Sequence, residues 1–306
     1  MYECIIIGGG PAGTAAAVYA ARKKLRSAII TKDFGGQSVV SDDIQNWIGS
    51  PHISGQDLAK SLEAHVREYA DDVLDIKTGE SVARIEKDGD TFSVTTEAGT
   101  YQTRTVLITT GSERRKLSIP GAAEFEHKGL TYCASCDGPL FTDKDVAVIG
   151  GGNAGFETAA QLLAYAKSVT LLDYGEEFKA EKITVDKVLS HSNMQAHHNA
   201  ETVEVIGDIM VSGLRYKDRK TGEEHTLDVQ GIFVEIGQMP ATGIAGDLIE
   251  RTDYGQIKID PRTQRSSHPG VWAAGDCTDV LYHQNNIAAG DAVRAMEDIY
   301  VSLHAS

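Results

Sequence analysis

The sequence predicts an α/β fold built from two strand–turn–helix units, on three observations. An apolar run, CIII, leads into Gly8, Gly10 and Gly13 and then into the alanine-rich TAAAVYAARKKL. A second run, VAVI, repeats the arrangement with Gly150, Gly152 and Gly155 ahead of FETAAQLLAYA. A third apolar strand, TVLITTG at residues 105–111, ends in a glycine and is followed by a stretch punctuated with proline and glycine, so the chain breaks there between modules. In each glycine-rich turn the first glycine permits the tight bend, the second lets backbone approach a pyrophosphate, and the third lets the helix pack on the strand. The phosphates then meet the helix N-terminus. Two such turns, each in the right context, point to two Rossmann-like domains and two bound dinucleotides.

The remaining elements follow in order. After the first helix come a short strand, SAIIT, and the loop DFGGQ. RIEKDG and TFSVTTEAG read as short strands joined by hairpin turns, and SERRKLSIPG after TVLITTG reads as a linker. The second stretch holds a Cys-x-x-Cys pair, the second glycine turn and the strand SVTLLD. A helix is expected from Glu176 to Ser190, followed by hairpin strands about a turn at Lys220, Thr221 and Gly222. QMPATG then leads into the last 65 or so residues.

A chain of 306 residues, 41% hydrophobic, is long enough for two domains with their own cores. No apolar stretch is long enough to span a bilayer, and the N-terminus enters its first strand without a signal-peptide pattern, so a cytoplasmic protein is expected. The net charge of −15 disfavours nucleic acid and anionic membrane as partners, since both require a basic footprint.

Residues 131–141, TYCASCDGPLF, place Cys133 and Cys136 directly before Asp137. Two cysteines at this spacing can close a small disulfide ring, the thiolate is the reactive form, and an adjacent carboxylate can manage the proton. A structural zinc needs four ligands, and no second Cys-x-x-Cys or His-x-His cluster accompanies the pair, so no metal is expected. Cys4 and Cys277 read as buried packing residues, and His197 with His198 as a solvated surface pair.

Six blocks carry a more specific signal: GGGPAG at the start, FGGQ at 34–37, YCASCDGPLF, VAVIGGGNAG, GIFVEIG at 231–237 and GVWAAGDCTD at 270–279. Through them the chain resembles the low-molecular-weight thioredoxin reductases, of class II of the pyridine nucleotide-disulfide oxidoreductases. It resembles still more closely the reductase portion of the flavoprotein subunit of alkyl hydroperoxide reductase. The resemblance implies two three-layer ββα domains, with a nicotinamide domain at 113–241 inserted into a discontinuous FAD domain formed by 1–112 and 242–306. It also implies a homodimer.

By that resemblance, FAD is expected on Gly8, Gly10, Pro11, Ala12 and Gly13, on Gly36 and Gln37 of DFGGQ, and on Asn46 and Gly111. Gly275 and Asp276, expected to open a helix toward the pyrophosphate side, and His283, Gln284 and Asn285 complete the flavin set. Thr31 and Lys32 stand where a ribose-binding acid is the general rule, an acid that small reductases of this family often lack. NADH is expected on Gly150, Gly152, Asn153, Ala154, Gly155, Glu157 and Gly237, and on Asp173 and Tyr174. Asp173 ends the strand SVTLLD about 20 residues after the glycines, where a carboxylate accepts both ribose hydroxyls. Thioredoxin reductases that use NADPH carry His-Arg-Arg at this point and a further arginine beyond; here stand Asp173, Tyr174, Gly175 and Lys179. A carboxylate repels a 2′-phosphate and no guanidinium clamps it, so NADH rather than NADPH is expected.

The implied activity is a relay in which NADH reduces FAD, FAD reduces the Cys133–Cys136 disulfide, and the dithiol reduces a partner's disulfide. Cys136 would face the flavin, Cys133 would attack the partner, and Asp137 would protonate the leaving thiolate. The two domains would rotate about linkers near 111–118 and 237–243. The peroxide-reductase flavoprotein carries an added N-terminal domain with its own Cys-x-x-Cys. This chain starts at the flavin strand, so its expected partner is a separate thioredoxin- or glutaredoxin-like protein, which could in turn feed a peroxiredoxin. Competing readings are a dithiol oxidase or NADH oxidase using oxygen, an enzyme fed by ferredoxin, and a non-catalytic flavin-binding protein. The intact second glycine turn opposes the dithiol oxidase, and the Cys-x-x-Cys with its acid opposes the last two.

Overall fold

The computed structural model describes residues 1–41 and 43–304, with Val40 described for its backbone alone, so the last two positions of the 242–306 segment lie outside the described residues. The backbone divides into two compact units, Met1–Glu113 with Met239–Ser306, and Arg114–Gln238.

In chain order the first unit begins with β1 (Tyr2–Ile7), α1 (Pro11–Arg22), β2 (Ser27–Thr31), α2 (Gly55–Ala70), β3 (Leu74–Thr78), β4 (Val82–Asp88), β5 (Thr91–Thr96) and β6 (Thr100–Ile108). The chain crosses to the second unit through β7 (Ser112–Arg114). There follow β8 (Leu130–Thr131), α3 (Ala134–Asp137), β9 (Asp145–Ile149), α4 (Asn153–Leu162), β10 (Ser168–Leu172), α5 (Lys182–Leu189), β11 (Met194–His197), β12 (Ala200–Gly207), β13 (Val211–Asp218), β14 (Glu224–Leu227) and β15 (Gly231–Val234). It returns through β16 (Gln238–Pro240), which pairs with β7, and ends with β17 (Val271–Ala273) and α6 (Asn285–His304).

The first unit's sheet runs β3-β2-β1-β6-β5-β4. Strand β6 forks it: residues 100–103 pair antiparallel with β5, and 106–108 pair parallel with β17. Side chains alternate across β1 with the period of two that a strand imposes. Cys4 and Ile6 enter a core with α1 and α6, whereas Ile5 and Ile7 enter one with Val94, Ala245 and Ile257. Both faces are covered, so these strands are apolar throughout. Helix α1 starts with Pro11 in its first turn, where a missing N–H costs nothing. Its alanines, Ala16, Ala17, Ala20 and Ala21, share a core with Ala288, Ala292 and Ala295 of α6.

The second unit repeats the plan. Its parallel sheet runs β11-β10-β9-β15-β8. One face packs on α4 through Val146, Val148, Phe156 and Leu162, and the other on the antiparallel sheet β12-β13-β14 through Ala147, Ile149, Val205 and Leu214. Each unit is thus a helix layer, a parallel sheet and an antiparallel layer, the ββα order the resemblance implied. Among the described residues no helix is long and apolar enough to cross a membrane.

Three local expectations need correction. The helix expected over Glu176–Ser190 is confined to Lys182–Leu189, because distant bonds hold the preceding segment irregular: the Lys179 N–H donates to the Gly151 carbonyl at 2.9 Å, and the Glu181 N–H to Asn153 Oδ1 at 2.9 Å. Gly275 and Asp276 do not open a helix. They form a turn closed by the Thr278 N–H on the Gly275 carbonyl at 3.0 Å, with Gly275 at φ 78°, and α6 begins only at Asn285. His197 is not a solvated residue: it lies half-buried on β11 against Tyr216, with ring centroids 5.9 Å apart, and burial lowers its pKa. His198 is exposed, its ring 3.7 Å from that of Phe178.

Candidate active site

Cys133 and Cys136 form a disulfide at the start of α3, with Cys133 as the helix N-cap. Strand β8 delivers the pair: it ends at Thr131, and the short helix turns both sulfurs toward one another with Cα atoms 5.3 Å apart. The Cys136 N–H donates to Cys133 Sγ at 3.2 Å. Thr131 Oγ1 accepts the Cys133 N–H at 3.3 Å and donates to the carboxylate of Asp137. One hydroxyl therefore ties the acid to the backbone of the first cysteine. An acid held beside a sulfur pair can deliver or take the proton that each thiol–thiolate exchange requires. The two other cysteines are fully buried, and burial pushes the Cys4 thiol up to about 12 and the Cys277 thiol up to about 11. Neither supplies a thiolate at neutral pH.

The glycine turn of the second unit separates two kinds of requirement. A Cβ on Gly155 would lie 1.8 Å from the Gly150 carbonyl oxygen, and one on Gly150, at φ 121°, would lie 2.3 Å from the Glu235 carbonyl oxygen. Those two glycines are demanded by packing and backbone geometry. A Cβ on Gly152 would meet nothing within 4 Å. Gly152 is the N-cap of α4 and gives no side-chain cap, which leaves space and unbonded helix N–H donors together, as a pyrophosphate needs. Ala154 continues the first turn of that helix.

At the end of β10, Asp173 Oδ1 accepts the Gly151 N–H at 3.1 Å. That bond fixes the carboxylate beside the turn. Tyr174 is exposed, Asn153 uses its side-chain oxygen on Glu181, and Glu157 is exposed on α4. Gly237, at φ 109°, accepts the Arg115 N–H at 3.0 Å.

Glu235, just past β15, was not singled out in the sequence. Its side chain is 13% exposed, its Oε1 accepts the Thr158 hydroxyl at 2.9 Å, and Arg114 stands 3.6 Å away. Burial raises its pKa, against the opposing pull of Arg114 and Thr158. Thr131 was also missed. Neither carries a local pattern, since each acquires its role from a partner on another element.

The first unit gathers its own set. Gly13 would collide with the Gly8 carbonyl oxygen at 1.8 Å if it bore a Cβ, whereas a Cβ on Gly10 would meet only Gly36 Cα at 3.9 Å. The open cradle at Gly10 has the same form as that at Gly152. Around it lie Pro11 and Ala12 in the first turn of α1; a Cβ on Gly275 would fall 3.4 Å from the Cβ of Ala12. Thr31 is buried, with its hydroxyl on the Asp33 carbonyl at 2.6 Å, and Lys32 and Gln37 are exposed. Asn46 Nδ2 donates to Gln284 Oε1 at 3.2 Å, and Ser38 donates to Asn285 Oδ1 at 3.1 Å. These bonds join FGGQ and its following loop to the start of α6, across some 240 residues of sequence. Gly111 accepts the Ala241 N–H at 3.0 Å, and Asp276 and His283 each engage neighbouring groups.

Comparison with known proteins agrees with this geometry. A family model described as pyridine nucleotide-disulphide oxidoreductase matches residues 2–297. A protein of Bacillus subtilis (strain 168) named NADH dehydrogenase is 42% identical over 96% of this chain and 57% of its own length. The alkyl hydroperoxide reductase F subunit of Escherichia coli (strain K12) matches with the same identity and the same shares. The chain therefore spans a little over half the length of these curated relatives. Among solved structures, a thioredoxin reductase from Streptococcus pyogenes MGAS5005 superposes with a TM-score of 0.91 at 35% identity, covering 100% of this chain and 99% of that one. One from Giardia duodenalis gives 0.92 at 30% identity, covering 99% and 98%.

Proposed function

As the chain belongs to the pyridine nucleotide-disulphide oxidoreductase family, we propose that it is an NADH-dependent flavoprotein disulfide reductase acting on a thioredoxin- or glutaredoxin-like protein in the cytoplasm. The observation that carries this reading is the Cys133–Cys136 disulfide with the Asp137 carboxylate anchored beside it by Thr131.

The cradle at Gly10, with Gly36, Asn46, Gly275, Asp276 and the start of α6, fits FAD, and the cradle at Gly152 with Asp173 fits a nicotinamide dinucleotide. When bound, the flavin supplies two-electron transfer between the nicotinamide and a disulfide. The chain's own part begins with the reduced pair. Cys133 as thiolate attacks one sulfur of the partner's disulfide, and Asp137 supplies the proton to the partner sulfur that leaves. Cys136 then attacks Cys133 Sγ, which restores the disulfide and releases the partner as a dithiol. Asp173 supports NADH: its carboxylate faces ribose hydroxyls favourably and a 2′-phosphate unfavourably. The relative that is an alkyl hydroperoxide reductase component supports a peroxiredoxin as the final consumer of these electrons.

The test is anaerobic reduction of the flavin-loaded protein followed by a panel of small Cys-x-x-Cys proteins from the same organism. About four electrons are expected per chain, two on the flavin and two on the pair, with NADH oxidation coupled to reduction of one panel member. Uptake of two electrons, unchanged by Cys136→Ser, together with oxygen consumption equal to NADH oxidation in a parallel aerobic assay, would instead identify an NADH oxidase.

A further inference from the structure

Beside Asp173, two turns of the second unit converge on the segment from Asp173 to Gly175, which carries one aromatic ring. Tyr174 follows β10 and is 57% exposed. The guanidinium of Arg219, from the turn between β13 and β14, lies 3.8 Å from the Tyr174 ring centroid, and its Nη1 donates to the Tyr174 carbonyl at 3.0 Å. The Arg219 N–H donates to the Asn199 carbonyl at 2.8 Å, the Asn199 N–H to the Gly175 carbonyl at 2.8 Å, and the Ala200 N–H to the Asp173 carbonyl at 2.8 Å. The segment from Asp173 to Gly175 is thereby held by the β11–β12 turn and the β13–β14 turn together. Burial does not explain the arrangement, because Tyr174 as a residue keeps more than half its surface in water.

We infer that the Tyr174–Arg219 stack is a shelf for the adenine base of the dinucleotide, and that Arg219 serves this site as a plane and not as a phosphate clamp. The inference rests on the reading that Asp173 holds the adenosine ribose. Asp173 Oδ1 is engaged by the Gly151 N–H, and a Cβ on Gly175 would lie 3.0 Å from Oδ2, so the absence of a side chain there leaves Oδ2 room for ribose hydroxyls. With the ribose on Asp173, the base falls next to residue 174. An aromatic ring whose mobility is removed by a guanidinium on one side presents a flat, preordered surface, and bases stack on aromatic and guanidinium planes whatever their hydrogen-bonding edge. The Arg219 guanidinium is committed to the Tyr174 carbonyl and ring, which draws it away from the role that arginines play against a 2′-phosphate. Lys179, the other cation of the following segment singled out in the sequence, has its backbone N–H tied to the Gly151 carbonyl.

The test uses ADP-ribose, which carries the adenosine and no nicotinamide, titrated calorimetrically into the flavin-loaded protein without turnover. Wild type should bind it, and Tyr174→Phe should bind as well as wild type. Tyr174→Ser and Arg219→Lys should each lose affinity by about 10-fold, the latter although the charge is kept. Each should lose 2′-phospho-ADP-ribose to the same extent, so that the ratio between the two ligands stays constant. Unchanged ADP-ribose affinity in both Tyr174→Ser and Arg219→Lys, with binding still lost in Asp173→Ala, would overturn the shelf while sparing the ribose site. A loss confined to the 2′-phosphorylated ligand would make Arg219 a phosphate clamp and overturn it too. Wild type that does not bind ADP-ribose, or Asp173→Ala that binds it undiminished, would remove the underlying reading as well.

Discussion

The hydroxyl of Thr131 donates to the carboxylate of Asp137 and accepts the backbone N–H of Cys133, so one small side chain positions the acid against the redox pair. Asp137→Asn should slow reduction of the partner by about 100-fold or more, the usual contribution of a general acid. Thr131→Val should slow it less, by about 10-fold, and Thr131→Ser should restore it. Stopped-flow traces would separate the steps: flavin reduction by NADH should be unchanged in all three. Equal slowing of both steps would show that Thr131 acts only on the fold.

Replacing Cys136 by Ser should leave Cys133 able to trap the partner as a stable mixed disulfide, because no second thiol remains to resolve it. Replacing Cys133 should abolish trapping. Non-reducing electrophoresis and mass spectrometry would read the adduct, and an adduct on Cys136 would reverse the assigned roles.

Nucleotide preference should follow Asp173. NADH is expected to exceed NADPH in kcat/KM by about 10-fold or more, since a missing phosphate clamp is worth at least about 1.4 kcal/mol. Asp173→Ala should lower the NADH value toward that of NADPH, because the lost bonds are to ribose hydroxyls that only NADH presents unmodified. Steady-state rates at matched concentrations would settle it, and an NADPH rate equal to the NADH rate in wild type would reject the assignment.

The two glycines of the second turn should behave oppositely. Gly155→Ala places a methyl 1.8 Å from the Gly150 carbonyl oxygen and should unfold or severely destabilise the second unit. Gly152→Ala meets no protein atom within 4 Å, so its melting temperature should match wild type while ADP-ribose binding weakens. Thermal melts beside calorimetry would show the division, and full ligand affinity in Gly152→Ala would place the pyrophosphate elsewhere.

Glu235 gives a pH dependence of stability. Burial raises its pKa above the unfolded value of 4.5, so the folded protein holds this proton to higher pH than the unfolded chain does. Stability is then lost as pH rises from about 4.5 through the folded value, where the unfolded state binds fewer protons. Glu235→Gln removes that loss. Its melting temperature should equal wild type near pH 4.5 and exceed it at pH 8; a mutant less stable at pH 8 would mean that the Arg114 pair outweighs the burial cost.

Legibility in the sequence tracked how local each feature is. Cys133, Cys136 and Asp137 were readable because their relation is set within one turn of helix. Thr131 was not, although it stands only two residues earlier, because its hydroxyl meets Asp137 only after β8 turns into α3. The helix over 176–190 was overestimated because the Lys179 and Glu181 N–H groups donate to Gly151 and Asn153, which no window around 176 contains, and hold its first part open. Gly275 was expected, by the resemblance, to open a helix, yet its left-handed φ closes a turn first.

By itself the sequence determined the two glycine turns, the strands that lead into them, the redox pair and the burial of Cys4 and Cys277. These depend on φ preference, side-chain volume and apolar patterning, which neighbouring residues impose on one another. Only the tertiary structure decided which side chains meet across distance. It brings Thr158 onto Glu235 over 77 positions, Arg219 onto Tyr174 over 45, and Asn46 onto Gln284 over 238. Such pairs exist because the packing of whole layers brings α4 against the end of β15, the turn after β13 against the end of β10, and a loop against the start of α6.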